Sequence, residues 1–97
     1  KFQKVEDNID PNCWLFTFSS SKQAELLAAL KENNVIARPF WMPMNQLPMF
    51  QNNYYISKND YSKEVHATSL SIPSSVSLTD EQLNIVVTII KQFFAQN

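Results

Sequence analysis

Arg38 is the only arginine in the chain, and it lies in the stretch NNVIARPFWMPMNQLPMF, Asn33 to Phe50. Alongside it stand three of the five prolines, all three methionines and one of the two tryptophans. A guanidinium presents a planar fork of donors that matches a carboxylate or a phosphate. Here it falls where a short β-prone run, Val35 to Arg38, meets Pro39, so that a binding group would be carried by a stiff scaffold. The plainer role is an arginine that ties loop carbonyls together. Trp41 and the methionines beside Asn45 either form satellite core or make one wall of a ligand pocket or subunit interface.

Other reactive side chains are sparse. His66 is the single histidine, which leaves no two-histidine metal site within the chain. Cys13 is the single cysteine, and its position beside a strand tryptophan reads as core rather than nucleophile. Glu6, Asp7 and Asp10 read as a solvated loop, while Asp80 and Glu81 complement the dipole of a helix that they open. None of the lysines shows the apolar setting that Schiff-base work requires. With no glycine at all, the chain contains no Gly-rich phosphate loop, and backbone positions at positive φ fall to Asn or Asp.

These residues belong to a chain of 97 residues, enough for one core but not for a spacious enclosed site. The hydrophobic fraction of 44% is globular, and the charged fraction of 18% is low for a small surface, so some apolar surface is expected to face a partner. A net charge of -1 with scattered lysines argues against nucleic acid or an anionic membrane as that partner. A lone cysteine, no membrane-length apolar run and no signal pattern fit a reducing, cytoplasmic setting. The start at Lys1, in what reads as an extended segment, is expected to be that of a fragment.

The elements that position the arginine can be read from periodicity. CWLFTF, Cys13 to Phe18, alternates as a strand. A helix follows over SSSKQAELLAALKENN, with Ser20 and Gln23 as a capping box, a Leu26, Leu27 and Leu30 stripe, and Asn33 or Asn34 as the stop. Val35 to Arg38 is a second strand, and 40–56 is a long ordered loop punctuated by Pro43 and Pro48. A short helix capped by Asn59 or Asp60 is expected to bury Tyr61 and Val65, and Ser69 to Pro73 alternates as a third strand. The last helix has Thr79 and Gln82 as its capping box and Leu78 stapled onto Leu83. Leu83, Val86, Val87, Ile90 and Phe94 mark one face, and Ile85, Ile89 and Phe93 widen it, so this helix should be covered on more than one side. The fold class is α/β, a two-layer α+β sandwich with a small, mostly antiparallel sheet and helices packed on it.

NCWLFTF, NNVIARPFWMPMNQLPMF and LSIPSSVSLTDEQLNIVVTIIKQFF, in that order and spacing, resemble the C-terminal small domain of the DegT/DnrJ/StrS-type sugar-nucleotide aminotransferases. The most specific element is the Arg-Pro followed by Trp, Pro and a further Pro. The resemblance covers nearly all of 1–97 and implies a small domain of the aspartate-aminotransferase fold, type I. It implies a transamination by pyridoxal phosphate from glutamate to a nucleotide-linked keto-sugar, with a UDP-4-keto-6-deoxy-N-acetylhexose the nearest branch. It also implies a homodimer and a large N-terminal domain that holds the cofactor and the Schiff-base lysine, so that 1–97 alone would be inactive. By position, Arg38, Trp41, Pro43, Met44 and Asn45 would line or buttress the substrate side, with Arg38 steadying an anionic group, and Asn12 and Trp14 would support the loop. Two departures stand out: Asn34 replaces a common Gly before the strand, and Asn45 replaces a common His, so no acid-base role carries over to position 45. The alternative is a free-standing ferredoxin-like ligand-binding or dimerisation module without catalysis.

Overall fold

A computed structural model describes residues 1–96. It has a three-stranded sheet and three α-helices: β1 (Phe16–Ser19), α1 (Gln23–Glu32), β2 (Arg38–Pro39), α2 (Tyr61–Thr68), β3 (Ser69–Ile72) and α3 (Asp80–Gln96). The strand order is β1-β3-β2, and both pairings are antiparallel. Because β1 and β2 each run against β3, they are parallel to one another, and α1 is the crossover of a split β-α-β unit into which β3 is inserted. Pro39 is tolerated because β2 is an edge strand, where a missing donor leaves no neighbour unpaired. The first strand begins three residues later than the alternation suggests, and the second is only its last residue plus Pro39.

The core forms on one face of this sheet. Leu26 and Leu30 of α1, Leu70 of β3, Val35 and Val86 of α3 are buried, and Phe18, Ala37, Ile72, Ile89, Ile90 and Phe93 pack around them. α1 is built from strong helix formers, QAELLAALKE, and at this length it depends on burying Leu26 and Leu30 in the core. Its expected Ser20–Gln23 capping box does not form. Ser20 Oγ accepts from the Lys22 amide at 3.1 Å, and the Gln23 side-chain amide reaches the carbonyls of His66 at 2.7 Å and Ser69 at 2.6 Å. Those two carbonyls lie at the α2–β3 junction, and the long-range bonds to part-buried acceptors outweigh a local cap.

The C-terminus of α1 follows the sequence reading more closely. Asn34 adopts φ 60°, its amide donates to Lys31 O at 3.0 Å, and the Val35 amide donates to Leu30 O at 2.9 Å. This is a Schellman motif, and the accompanying apolar contact is between Val35 and Leu30 in the core. Val35 is thus a cap residue rather than the start of a strand. The capping box of α3 also forms: the Thr79 amide donates to Gln82 Oε1 at 3.0 Å, and the Gln82 amide to Thr79 Oγ1 at 3.3 Å.

Two burial expectations are corrected. Tyr61 and Val65 of α2 are exposed, because α2 sits against the β2–β3 side of the sheet and not in the core. On α3 the inward stripe is Val86, Ile89, Ile90 and Phe93, whereas Leu83, Val87 and Phe94 are exposed. The apolar residues of α3 support two overlapping stripes, and packing against α1 selects one of them.

Asn34→Gly is expected to raise stability to urea by about 0.5–1 kcal/mol, and Asn34→Val to lower it by about 1–2 kcal/mol, because only the left-handed backbone at this position distinguishes the three residues. Thr79→Ala should cost about 1 kcal/mol in the same measurement, through loss of the reciprocal cap; a midpoint unchanged from the parent would mean that α3 is held without it.

Candidate functional site

Residues directly opposite in an antiparallel pair share a face of the sheet. Phe18 pairs with Leu70, and Pro39 with Leu70, on the core face; Thr17 and Arg38 both pair with Ser71 on the other. The face away from α1 and α3 therefore carries Thr17, Ser19, Ser69 and Ser71, with Arg38 at its β2 edge. Thr17 Oγ1 and Ser71 Oγ share a hydrogen bond of 2.7 Å. Arg38 is exposed, and among the described residues its guanidinium makes no hydrogen bond or ion pair. That disfavours an arginine spent on tying loop carbonyls.

The backbone beyond Arg38 is held firmly. The Phe40 amide donates to Ser69 O at 2.8 Å, extending the β2–β3 ladder. The Phe40 carbonyl is taken by His66 Nδ1, which must carry the ring proton because a carbonyl only accepts. His66 is thus a clamp on the loop. Two single-turn 3₁₀ helices follow, Met44–Gln46 and Pro48–Phe50, the first closed by Gln46 N–H to Pro43 O at 2.9 Å and Leu47 N–H to Met44 O at 3.1 Å. Pro43 is buried, Met44 is exposed, and Asn45 is half-buried with its Oδ1 sealed from solvent and without a hydrogen-bond partner.

Trp41 meets Trp14. Their ring centroids are 6.2 Å apart at an interplanar angle of 83°, an edge-to-face contact, and Phe40 lies nearly parallel to Trp41 at 6.4 Å. Asn12 sets Trp14 in place: its Oδ1 accepts the Trp14 amide at 3.1 Å, forming an Asx turn across Cys13, which takes φ 50°. Ser74 Oγ donates to the Trp14 carbonyl at 3.1 Å. Cys13 is exposed rather than core, because this turn holds it ahead of β1.

Of the residues singled out from sequence, the fold brings Asn12, Trp14 and Trp41 together and sets Arg38 on the adjoining strand. Met44 and Asn45 lie on the 3₁₀ turn, with no hydrogen bond or ring contact to that group among the described residues. Sequence reasoning missed the Thr17–Ser71 pair and the His66 clamp. The alternation Ser69, Leu70, Ser71, Ile72 carried a signal for the first: serine at every second position marks a polar sheet face.

The donor set suits an anion next to an aromatic surface. It does not suit pyridoxal phosphate as a self-contained site, since a Schiff-base lysine works from a desolvated position. Lys1, Lys4, Lys31, Lys58, Lys63 and Lys91 are all exposed, and Lys22 is half-buried at the start of α1.

The sequence profile of the DegT/DnrJ/EryC1/StrS aminotransferase family matches residues 3–91. The chain belongs to this family. The three-stranded antiparallel sheet with its helices is the arrangement expected of an aminotransferase small domain. Among curated proteins, the chain is 24% identical over 89 residues to the "Putative pyridoxal phosphate-dependent aminotransferase EpsN" of Bacillus subtilis (strain 168). That alignment takes in 86% of this chain and 23% of the relative, so the chain spans less than a quarter of the relative's length.

A double-mutant cycle on Trp14→Ala and Trp41→Ala, read by urea denaturation, should return a coupling of about 0.5–1.5 kcal/mol. Strictly additive effects would mean that the two indoles do not touch in solution.

Proposed function

We propose that this chain is the C-terminal small domain of a longer pyridoxal-phosphate-dependent aminotransferase that moves an amino group from glutamate to a nucleotide-linked keto-sugar. The match of residues 3–91 to the aminotransferase family is the observation that carries the reading. The short coverage of the relative supports placing the cofactor site in a large N-terminal domain, and the exposed lysines of this chain agree with that division. Pyridoxal phosphate supplies the electron sink when bound. This domain contributes no proton transfer to the chemistry; its own residues bind and orient.

Arg38 is the group best placed to do so. It is a permanent cation at the edge of a hydroxyl-bearing sheet face, and among the described residues no carboxylate competes for it. Trp41 and Trp14 form an apolar wall nearby, and Asn12 and Ser74 fix that wall from behind. Asn45 offers a sealed acceptor awaiting a donor, which a substrate or a neighbouring domain would supply. The exposed apolar residues of α3, Leu83, Val87 and Phe94, give the rest of the protein a surface to cover. A symmetric dimer, a UDP-4-keto-6-deoxy-N-acetylhexose substrate and a cytoplasmic location complete the reading, and the isolated domain is expected to be inactive.

In the full-length protein, Arg38→Ala should lower kcat/KM for one of the two substrates by about 10- to 100-fold, the loss of one charge-assisted contact, while the absorbance of the bound cofactor stays unchanged. Arg38→Lys should recover part of that loss. Kinetics equal to the parent would return Arg38 to a structural role.

A further inference from the structure

We propose that His66, itself held by Gln23, is a positioning residue for the reaction: it fixes the Phe40–Trp41 peptide and so sets Trp41 where the substrate meets it. Both residues act through the backbone of the loop rather than on the substrate, and their role in the reaction rests on the aminotransferase reading above.

One chain of hydrogen bonds runs from the start of α1 to the loop. The Gln23 side-chain amide spends both of its protons, on the carbonyls of His66 at 2.7 Å and Ser69 at 2.6 Å. Beside it, the Ser20 amide donates to the Thr68 carbonyl at 2.8 Å. α2 ends at Thr68, and the last carbonyls of a helix have no partner within it. The start of α1 therefore closes the end of α2 and holds the turn that carries His66. His66 Nδ1–H then donates to the Phe40 carbonyl, while Ser69 O, already bound by Gln23, accepts the Phe40 amide at 2.8 Å on its second lone pair. Both polar groups of the Phe40 backbone are thus set by one network, whose Gln23 and His66 side chains are half-buried.

What this network holds is open to solvent. Trp41 is 65% exposed, lies nearly parallel to Phe40 at 6.4 Å and meets Trp14 edge to face. Among the described residues the amides of Trp41 and Met42 make no hydrogen bond, and the next backbone bond along the loop is Gln46 N–H to Pro43 O. The Trp41 backbone therefore takes its direction from the peptide before it. A peptide unit is planar, so the bond that aims the Phe40 carbonyl also aims the Trp41 nitrogen and places its Cα. Stability alone does not call for an exposed ring to be fixed through two helices. Binding does, because a displacement of about 1 Å in a group that orients substrate can cost two orders of magnitude in rate.

The test uses the full-length protein labelled with fluorotryptophan, the Trp41 fluorine resonance being assigned by Trp41→Phe. His66→Leu removes the donor, and His66→Asn restores an N–H near the position of Nδ1. His66→Leu is expected to move the Trp41 resonance and to lower kcat/KM for a UDP-4-keto-6-deoxy-N-acetylhexose, with glutamate as amino donor, by about 5- to 50-fold. His66→Asn should return the resonance and bring kcat/KM to within about threefold of the parent, with the absorbance of the bound cofactor unchanged in both variants. Gln23→Leu should act in the same direction. Combined with His66→Leu it should add no further loss, because both substitutions open the same chain of bonds.

A His66→Leu variant that unfolds earlier in urea yet keeps the parent's kcat/KM would make the network domain packing, which overturns the inference. So does a Trp41 resonance that His66→Leu leaves in place, or a His66→Asn variant as impaired as His66→Leu. Should His66→Leu not fold, Gln23→Leu carries the same two readouts, and parental values in both overturn it. Failure of the aminotransferase reading appears separately, as no 2-oxoglutarate formed from glutamate by the unaltered protein with any keto-sugar nucleotide, and the fluorine resonance then still decides whether His66 sets Trp41.

Discussion

The position of β3 between β1 and β2 is the constraint from which the rest of the domain follows. A strand hydrogen-bonded on both sides presents alternate side chains to two different environments. Leu70, fully buried, closes against Leu26 and Leu30 on one face, while Ser69 and Ser71 turn to the other. The same insertion sets Thr17 and Arg38 on either side of Ser71, although they are far apart in sequence. A slip of one residue in this pairing would turn the serines into the core and the leucine into water, so the register is strongly specified. The hydroxyl-bearing face and the hydrophobic core are thus two consequences of one pairing.

Around β3 the domain relies on side chains that satisfy backbone groups at junctions. Gln23 of α1 takes two carbonyls where α2 becomes β3, His66 of α2 takes the carbonyl of Phe40, and Ser74 takes that of Trp14. These long-range bonds substitute for regular structure in a chain whose sheet is small and whose longest loop is broken by proline. They also explain how residues 40–43, between β2 and the first 3₁₀ turn, are held without being a strand or a helix. An unpaired carbonyl at the part-buried junctions, His66 and Phe40, would cost about 1–3 kcal/mol, a sizeable share of the stability of a domain this small.

Much of the local structure was legible. α1, α3, the cap at Asn34 and the Thr79–Gln82 box follow from propensity and from short-range hydrogen bonding, which depends only on neighbours in sequence. The unusual character of 33–50 was legible from residue type. The misses share a cause. Gln23 left its expected cap for partners 43 and 46 residues away, Tyr61 and Val65 stayed exposed, and α3 turned a different stripe inward. In each case two arrangements were locally equivalent, and distant packing chose between them.

The sequence by itself determined an α/β fold class and a chain with one arginine, no glycine and a proline-stiffened aromatic loop, because composition and short periodicities are properties of the chain alone. It also determined that any anion would be met by Arg38 or by scattered lysines. Tertiary structure alone decided that Arg38 pairs with Ser71 on the Thr17 face, its guanidinium without an ion-pair partner among the described residues, and that Trp14 and Trp41 meet at 6.2 Å while remaining open to solvent. The physical reason is that sheet order and register bring together residues tens of positions apart. No local preference encodes such proximity, and only the burial of Leu70 and its neighbours enforces it.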